Sequence, residues 1–441
     1  MLRGSMRYAV SVGYHLMTMF WAPLVALYRV LRYRRRGGPP GGEESFGVVC
    51  VSHVPWSGAW QRNHHTMDGL SKRHKVLYCH PVIVCGDRLD FITADGSARR
   101  DGHGNPDLLV IEPLINRGES GVPLIRAINK LILAGAIREA MARMDMGPGI
   151  LWFYSPLNEY LVGSLGESLA VYDIQDEYAG LLGRPDHVRE KEQRLLGKAD
   201  LVFTGTYALY EDKNVYNRNM HFVPCGVDVA HFRQARIHDV PIPADIRDVP
   251  HPVIGYFGRI CGRMDTELLA HMADSHPEWS IVLIGEVIET EFILQKRSNV
   301  LLLGQKNYAD LPQYVQDFDV CMIPFRLNEL TLKVNPTKLL EYMAAGKPVV
   351  STAIPDMVRF YGEVIGIART AEEFIAAVEN SLQDNRAGTS AAVMRGMEIA
   401  DGCSWATMVA RMESHVEADL AQKLAARRGG INPSRPGDAS P

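Results

Sequence analysis

The chain reads Lys333-Val-Asn-Pro-Thr-Lys-Leu-Leu-Glu-Tyr-Met-Ala-Ala-Gly-Lys-Pro-Val-Val-Ser351 across the segment that decides its fold. Asn335 is a favoured N-cap residue, and Pro336 suits the first helical position, where its missing N–H costs nothing. An apolar stripe follows at helical spacing: Leu339, Leu340 and Met343. Gly346 ends the helix, and the Pro348-Val-Val-Ser-Thr run after it is typical of a buried parallel strand. The segment therefore predicts a helix that leads directly into a sheet.

Lys338 and Glu341 lie three residues apart, on one face of this helix and in its first turns. A helix N-terminus with free N–H groups and a lysine beside it attracts phosphate. A carboxylate one turn further on accepts hydrogen bonds from sugar hydroxyls such as those of a ribose. On spacing alone, an ordinary helix–strand unit with a surface ion pair accounts for the same residues equally well.

The pattern N-P-x-K-L-x-E-Y-x-A-A-G-x-P-V-V resembles the donor-site motif in the C-terminal domain of GT-B glycosyltransferases, the group around glycosyltransferase family 4. The resemblance implies that Lys338 faces the diphosphate of a nucleotide sugar and Glu341 faces the ribose, with Asn335 in the same donor site. Many members carry two glutamates eight residues apart, whereas the earlier position here is Lys333. The contact that the first glutamate makes to the donor sugar is therefore not implied for this chain.

Length and composition indicate a folded protein of two domains. The chain has 441 residues, of which 46% are apolar and 22% charged, so each domain can bury a core. The formal net charge of −4 argues against a general nucleic-acid binder. Seven cysteines are scattered without any C-x-x-C pair, which indicates reduced thiols and neither a zinc site nor a disulfide framework.

The N-terminal segment, residues 1–43, differs from the rest of the chain. Residues 8–31 are largely apolar, and an Arg-Tyr-Arg-Arg-Arg run at 32–36 precedes a linker rich in glycine and proline. The apolar run is long enough for a transmembrane helix, and its aromatic residues and the arginines suit a helix in the membrane interface equally. A helix docked on the protein is the third alternative. The positive C-terminal flank predicts that the main body lies on the cytoplasmic face of the plasma (inner) membrane.

From Phe46 the sequence alternates short apolar runs with helical stretches, as in a parallel sheet with helices on both faces. We take residues 44–235 as a first Rossmann-like domain. Its predicted elements are strands at 48–54, 76–84, 108–114, 150–154, 169–173 and 201–204 and helices at 61–71 and 123–146. Ligands bind at the carboxyl ends of such strands. His53 and His64 follow the first strand and are candidates for the acceptor side.

Several stretches of this domain resemble a membrane-associated bacterial subgroup of exopolysaccharide enzymes within the same family. Trp60-Gln61-Arg62 resembles the W-Q-R segment after the first strand, and Tyr172-Asp-Ile-Gln-Asp-Glu-Tyr178 resembles the Y-D-x-x-D-x-[YW] segment. Val223-Pro-Cys-Gly-Val-Asp228 resembles the V-P-N-G-V-D stretch before the second domain. The resemblance extends over residues 46–424, and it depends on the order of the motifs more than on any one of them.

The segment from Tyr172 to Tyr178 is the best source of a catalytic base. It carries Asp173 and Asp176, two carboxylates three residues apart at a strand end. An inverting transferase needs one carboxylate to take the proton of the acceptor hydroxyl. If neighbouring carboxylates crowd each other, one pKa rises into a useful range. The alternative is structural, with Asp173 capping a turn and the others solvated.

Residues 252–403 form the predicted second domain, which binds the nucleotide sugar. Residues 253–260 predict a strand that runs into a tight turn, where Gly258 lets the backbone approach a phosphate. Arg259 is then placed to form a bidentate pair with that phosphate. The turn resembles the G-R-[LI] opening of the family's C-terminal domain. The lysine that the family carries a few residues later is absent, and Arg263 is an approximate replacement.

Further along this domain, residues 304–314 resemble the G-x-x-x-Y-x-x-L-P-x-Y loop and helix that contact the nucleotide base. The resemblance places Gly304 and Tyr308 beside the base, and a capped surface helix is the plainer alternative. A helix at 404–424 is expected to cross back to the first domain, as the last helix of this fold does. The tail at 425–441 has the composition of a disordered segment.

The motifs together predict an α/β chain of the GT-B type, with two Rossmann-like domains facing a central cleft. No G-x-G-x-x-G stands where a dinucleotide needs it, and no D-x-D stands in a metal-binding context. The resemblance implies that Lys, Arg and helix N–H groups neutralise the leaving diphosphate without a metal or cofactor. The predicted reaction moves a sugar from a nucleotide sugar, UDP-linked in preference to GDP-linked, to a hydroxyl of a lipid-linked glycan. A nucleotide-sugar 2-epimerase and a degenerate binding module that acts as a scaffold remain alternatives.

Overall fold

The computed structural model describes most of the chain after residue 45. The described residues are 24, 46–57, 60–84, 99–100, 105–116, 122–147, 149–181, 185–237, 241–288, 294, 297–386 and 390–428. The predicted membrane-associated segment lies outside the described residues apart from Leu24, and so does most of the predicted tail. Within the described ranges, every helix is either too short or too polar to cross a membrane.

The chain folds as two compact units. The first contains the described residues up to Thr204, residues 212–222 and the chain from Val409 onwards. The second contains residues 205–211 and 223–408. The first domain therefore ends earlier than the predicted boundary at 235, because the V-P-C-G-V-D stretch and the helix after it fold with the second unit.

The described residues of the first unit contain ten short strands. In chain order they are β1 Val48–Val51, β2 Val76–Cys79, β3 Val82–Val84, β4 Arg99–Arg100, β5 Leu108–Ile111, β6 Leu114–Asn116, β7 Ile150–Phe153, β8 Leu169–Ile174, β9 Leu201–Thr204 and β10 Met220–Phe222. Eight of them form one sheet in the order β10-β9-β8-β7-β1-β2-β5-β4, and β3 pairs with β6. Only the pairing of β4 with β5 is antiparallel among these strands. The central strands are buried along their whole length, as expected for apolar runs between two helical layers.

The second unit has a single sheet within its described residues. Its strands are β11 Val253–Phe257, β12 Ser280–Ile284, β13 Val300–Gly304, β14 Val320–Ile323, β15 Val349–Thr352 and β16 Gly366–Ala368. They pair in parallel in the order β13-β12-β11-β14-β15-β16. Because the strands run in parallel, the loops at their carboxyl ends meet at one edge of the sheet, which is the edge where ligands bind in folds of this kind.

The helices cover the sheets in both units. In chain order they are α1 Arg62–Ser71, α2 Pro123–Arg143, α3 Tyr178–Leu181, α4 Pro185–Lys198, α5 Tyr207–Lys213, α6 Val229–Arg233, α7 Thr266–Ser275, α8 Leu311–Gln316, α9 Lys338–Ala344, α10 Pro355–Tyr361, α11 Ala371–Arg386, α12 Ala391–Gly402 and α13 Trp405–Arg428. The last helix belongs to the first unit from Val409 onwards. It also continues through residues 425–428, so the predicted tail begins later than expected.

Candidate functional site

Three glycines end neighbouring strands of the second unit at the same edge of the sheet. Gly258 follows β11, Gly285 follows β12 and Gly304 closes β13, and all three have positive φ. A Cβ atom at position 285 would lie 1.9 Å from the carbonyl oxygen of Gly258, so the close approach of two backbones requires glycine there. This edge is therefore lined by backbone, and a ligand can approach it without meeting side chains from these three positions.

We call the backbone of Gly258, Gly285 and Gly304 the glycine floor. Lys338 lies over the part of it formed by Gly258. A Cβ atom at position 258 would lie 3.0 Å from Cε and 3.4 Å from Nζ of Lys338. The Nζ atom also lies 5.4 Å from the ring centroid of Tyr256 and 5.3 Å from that of Phe325. Burial lowers the pKa of Lys338, and the charge of Glu341 opposes that shift. No side chain in the described residues forms a hydrogen bond or ion pair with this ammonium, so it is available to an anion.

Glu341 lies one turn further along α9. Burial raises its pKa to about 7, and the charge of Lys338 opposes that shift. Its carboxylate has no hydrogen-bond donor among the described residues. The same carboxylate raises the pKa of the Tyr308 hydroxyl, after burial, which shows that the two groups are close. The structure thus brings together Gly258, Lys338, Glu341 and Tyr308, four of the residues predicted for the donor site.

The helix that carries these residues starts later than the sequence predicted. α9 begins at Lys338, with Thr337 as its N-cap residue and without a capping side-chain hydrogen bond. Asn335 is therefore not the N-cap; its side chain hydrogen-bonds Tyr361 instead. At seven residues, α9 is also too short to serve as an anion site through its N-terminus alone. The predicted phosphate contact thus depends on the lysine and the glycine turn.

Two arginines follow the glycine turn, and they differ in position. The Arg259 side chain is 66% exposed, and its Nε atom lies 3.9 Å from a carboxylate oxygen of Glu286. The predicted phosphate contact of Arg259 requires this side chain to turn away from solvent. The charge of Arg263 instead acts on the Lys338 ammonium and lowers its pKa further. Arg263 therefore supplies a second cation close to Lys338, where the family lysine is missing.

The loop predicted to contact the nucleotide base packs against helix α6, which contains none of the predicted site residues. The Tyr308 ring stacks on His231, with centroids 4.5 Å apart and planes 18° from parallel. His231 follows Asp228, which caps α6 by accepting the N–H of His231. The V-P-C-G-V-D motif was the available signal, since its aspartate sets this helix. Tyr308 remains 48% exposed, and a Cβ at Gly304 would meet nothing within 4 Å, so a flat ring has room here.

In the first unit, Asp173 forms a sealed ion pair. Arg62 Nε lies 3.0 Å from both carboxylate oxygens, and the Arg62 and Asp173 side chains are 1% and 0% exposed. Burial raises the pKa of Asp173, and the charge of Arg62 opposes that shift. A catalytic base has to reach the acceptor hydroxyl, so the structure argues against Asp173 in that role. The pair instead joins the W-Q-R and Y-D-x-x-D motifs, whose contact the sequence did not reveal.

Asp176 is the more accessible of the two predicted carboxylates. It is partly exposed beyond the end of β8, and its charge raises the pKa of the buried Tyr178 hydroxyl, after burial itself. The Tyr178 ring meets the ring of His53 edge-on, with centroids 5.3 Å apart. Burial and the charge of His80 lower the pKa of His53 to about 4, so this imidazole is neutral at pH 7. Asp176 and His53 therefore both lie near the Tyr178 side chain, at the ends of β8 and β1, which are separated in the sheet by β7.

His64 has a structural role instead of the predicted one. It is fully buried, and its Nδ1 accepts the Gln61 N–H at 3.0 Å. Its Nε2 lies 3.1 Å from the carbonyl oxygen of Pro55, which places the proton on Nε2. Both ring nitrogens are thus occupied at the start of α1. An acceptor has no access to this imidazole.

One group in the described part of the chain has metal-ligand spacing, and it already has other partners. Ligand atoms of His74, Glu413 and Glu417 lie within 4.8 Å of one another. Arg73 donates to Glu413 at 3.0 Å and lies 3.6 Å from Glu417. His74 accepts the Phe46 N–H through Nδ1. Each of the three side chains thus already has a partner within the protein, and we assign no metal to the group.

Comparisons with known proteins address the second unit first. Residues 251–384 match a family model described as glycosyl transferases group 1. The chain is also 24% identical over 255 residues to TuaH of Bacillus subtilis (strain 168), which is named as a candidate teichuronic acid biosynthesis glycosyltransferase. The aligned part covers 53% of this chain and 64% of that relative, so it spans less than two thirds of the relative's length.

Solved structures share the fold over most of the chain. Sucrose-phosphate synthase from Thermosynechococcus elongatus has a TM-score of 0.65 and 16% identity, covering 87% of this chain and 100% of that one. Anabaena HepE in complex with UDP has a TM-score of 0.62 and 12% identity, covering 85% and 100%. A trehalose-6-phosphate protein from E. coli bound with UDP-2-fluoro glucose has a TM-score of 0.61 and 11% identity, covering 84% and 99%. At these identities the likeness shows the fold.

Proposed function

We propose that the chain is a group 1 glycosyltransferase with the GT-B fold, and that it moves a sugar from a UDP-linked donor to a glycan hydroxyl. The family match at residues 251–384 contains Gly258, Lys338 and Glu341. Among proteins of the same fold, Anabaena HepE is described in complex with UDP and glucose. These observations support a nucleotide-sugar donor bound to the second unit, with UDP favoured over GDP.

The observation that carries this proposal is the Lys338 ammonium, which is half-buried over Gly258 and has no anionic partner at contact distance in the described residues. A diphosphate placed on the glycine floor meets this charge and the neighbouring charge of Arg263. During transfer the bond between the anomeric carbon and the diphosphate oxygen breaks, and its electron pair stays on the diphosphate. Cations fixed beforehand stabilise that developing charge more than they stabilise the ground state.

Glu341 and Tyr308 complete the donor side. The Glu341 carboxylate, without a donor of its own among the described residues, accepts hydrogen bonds from the ribose hydroxyls. The half-exposed Tyr308 ring, held by its stack on His231, offers a face to the base. Arg259 reaches the diphosphate by turning inward. In this proposal Asn335 supports the segment through Tyr361 and does not contact the donor.

We assign acceptor binding to the first unit. The acceptor hydroxyl oxygen bonds to the anomeric carbon as the diphosphate leaves, and its proton passes to a base. In an inverting reaction that base is Asp176, with the neutral His53 nearby as a hydrogen-bonding group. In a retaining reaction a departing phosphate oxygen takes the proton, and no carboxylate base is required. The described charges allow either outcome.

Ligand-dependent stability tests this proposal. UDP added at about one hundred times its dissociation constant should raise the free energy of unfolding by about 2.7 kcal/mol, and GDP should have a smaller effect at equal concentration. Absence of stabilisation by both nucleotides would overturn the proposal. Incubation with donor alone separates the alternatives, because only an epimerase converts a nucleotide sugar without an acceptor. UDP binding without transfer to any acceptor would favour the scaffold.

The acceptor proposed is a lipid-linked glycan at the cytoplasmic face of the plasma membrane, in polysaccharide or cell-envelope synthesis. The name of the relative TuaH, from teichuronic acid biosynthesis, supports a polysaccharide product. The apolar and basic composition of residues 1–43 supports membrane association. Deletion of residues 1–40 should move the protein fully to the soluble fraction of a lysate. An unchanged membrane fraction would contradict this assignment.

A further inference from the structure

The first unit contains a groove that the donor site and the acceptor candidates leave unused. It runs between α2 and α4 and encloses about 490 Å³, a size typical of ligand pockets. Tyr160 and Val162 are buried beneath it, and Val122 and Pro123 border it at the start of α2. The other lining residues are mostly basic: Arg126, Ala127, Lys130, His187, Lys191, Arg194 and Lys198. We call this feature the basic groove.

The basic side chains recur at helical spacing on each helix, so they form two rows, one on each wall of the groove. On α2, Arg126 and Lys130 are four residues apart. On α4 the row has spacings of four, three and four: His187, Lys191, Arg194 and Lys198. At 1.5 Å per residue this row extends over roughly 16 Å, with a basic group at intervals of about 5–6 Å. The groove therefore presents a row of basic groups, with the positive charges of Lys191, Arg194 and Lys198 at three points along α4.

One carboxylate holds two of these cations in place. Glu159 is completely buried, and its Oε1 accepts Arg126 Nη2 at 2.6 Å and Arg194 Nε at 3.0 Å. Its Oε2 atom has no hydrogen-bond partner among the described residues. A single negative charge thus fixes guanidinium groups from both walls of the groove. The remaining positive charge is not neutralised by it.

Two lysines of the groove have no partner at contact distance in the described residues. Lys130 and Lys198 form neither a hydrogen bond nor an ion pair there. Burial lowers the pKa of Lys198; the charge of Glu159 opposes that shift, and nearby cations add to it. Lys191 differs, since it is buried and donates to the carbonyl oxygen of Leu157 at 2.9 Å. Positive charge kept together in a chain of net charge −4 is costly unless an anion enters the groove.

We propose that the basic groove binds a linear anionic glycan that carries a carboxylate or phosphate group on its repeating units. The charges recur along the groove at intervals comparable with the repeat of a sugar chain, and Tyr160 lies below with its ring in contact range of the Arg126 guanidinium. The proposal rests on the proposed function only where it identifies this glycan with the acceptor. The binding itself requires neither donor nor turnover.

An anionic membrane surface is the competing ligand, since Leu124 is 66% exposed beside the groove and Val122 is 44% exposed. The shape argues against it. The guanidinium groups fixed by Glu159 and the partly buried Lys198 lie inside a concave site, which a flat bilayer does not enter. A flexible chain with spaced charges does.

Direct binding to the full-length protein tests the proposal. The probes are a hexamer of galacturonic acid, maltohexaose as the neutral chain of equal length, inorganic phosphate, and vesicles of phosphatidylglycerol or phosphatidylcholine. The test variant carries Lys130→Gln and Lys198→Gln, which leave the pairs of Glu159 intact. The control variant carries Lys72→Gln and Arg143→Gln, which remove the same charge from exposed positions of the same unit. Calorimetry at two salt concentrations measures each affinity.

We expect the galacturonate hexamer to bind in a salt-sensitive manner, with maltohexaose and phosphate at least about tenfold weaker. Lys130→Gln with Lys198→Gln should weaken hexamer binding about tenfold or more, and the control variant should not. Absence of hexamer binding, equal binding of maltohexaose, or an unchanged affinity in the test variant would each overturn the proposal. Loss of vesicle binding alone in the test variant would assign the groove to the membrane instead. Failure of UDP stabilisation with intact hexamer binding would refute the proposed function and leave this site standing.

Discussion

Each unit holds a cation and a carboxylate near the carboxyl ends of its strands. The two pairs differ in whether the charged groups contact each other. Arg62 and Asp173 satisfy each other at 3.0 Å and have almost no exposed surface. Lys338 and Glu341 are close enough to shift each other's pKa, yet neither forms a hydrogen bond or ion pair in the described residues. A charged pair in a motif therefore marks a ligand site only where the fold leaves the charges unsatisfied.

Asp173→Ala should have the largest effect, and the effect should be on stability. The substitution leaves Arg62 buried without its counter-charge, which costs about 3–5 kcal/mol of unfolding free energy. Denaturant titration of the variant measures this loss. Asp186→Ala serves as the control, because that side chain is 97% exposed and should change stability by less than about 0.5 kcal/mol. A variant of Asp173 as stable as the wild type would break the comparison.

Lys338→Ala should have the opposite signature. Loss of a preorganised cation should lower turnover about a hundredfold or more, while the fold stays intact because no partner of Lys338 is orphaned. Steady-state transfer kinetics and a melting curve on the same sample measure both effects. Arg395→Ala removes an exposed cation of the same unit and should leave turnover unchanged. Near-normal turnover in Lys338→Ala would remove this residue from the donor site.

His64→Ala sharpens the comparison within the first unit. The imidazole caps α1, so its loss should cost about 1 kcal/mol of stability without changing the KM for the acceptor. His53→Ala should raise that KM and leave the stability closer to the wild type, since His53 lies at the strand ends near Asp176. Both quantities are measured by chemical denaturation and by acceptor titration. An acceptor KM that depends on His64 and not on His53 would reverse the two roles.

Glu341→Gln should have the smallest effect on the fold itself, and it should act on the pH dependence of the free energy of unfolding. The folded pKa is raised to about 7 from an ordinary value near 4.5. The folded state thus binds the proton more tightly, and this contribution to stability is complete below pH 4.5 and lost as pH rises through 7. The wild type should lose up to about 3 kcal/mol between those limits relative to Glu341→Gln, since each unit of pKa shift corresponds to about 1.4 kcal/mol. The measurement is the free energy of unfolding of both proteins at a series of pH values. The same dependence on pH in the wild type and in Glu341→Gln would contradict the raised pKa.

Much of the architecture followed from apolar runs and their spacing. The predicted strands at 48–54, 150–154 and 201–204 each contain an observed strand, and the helix predicted at 61–71 forms at Arg62–Ser71. Such runs are buried on both faces, so local pattern and tertiary environment favour the same structure. Gly258 and Lys338 also lie close together as predicted, because they are on elements that the motifs locate, and their contact with a donor stays a prediction.

The errors came from contacts between distant parts of the chain. Asparagine is a favoured N-cap residue, but the Asn335 side chain forms a hydrogen bond with Tyr361, and the helix starts at Lys338. Asp173 looked like a base because its partner Arg62 lies 111 residues away. His231 was not identified as a site residue because no local pattern shows which side chains lie next to Tyr308. Tertiary packing decides these roles, and spacing along the sequence does not encode it.

A crystal of the protein soaked with UDP tests the central claim most directly. We expect the diphosphate to lie on the turn at Gly258 within hydrogen-bonding distance of Lys338 Nζ, with the ribose hydroxyls on the Glu341 carboxylate. UDP ordered at a site away from these three residues would contradict the account.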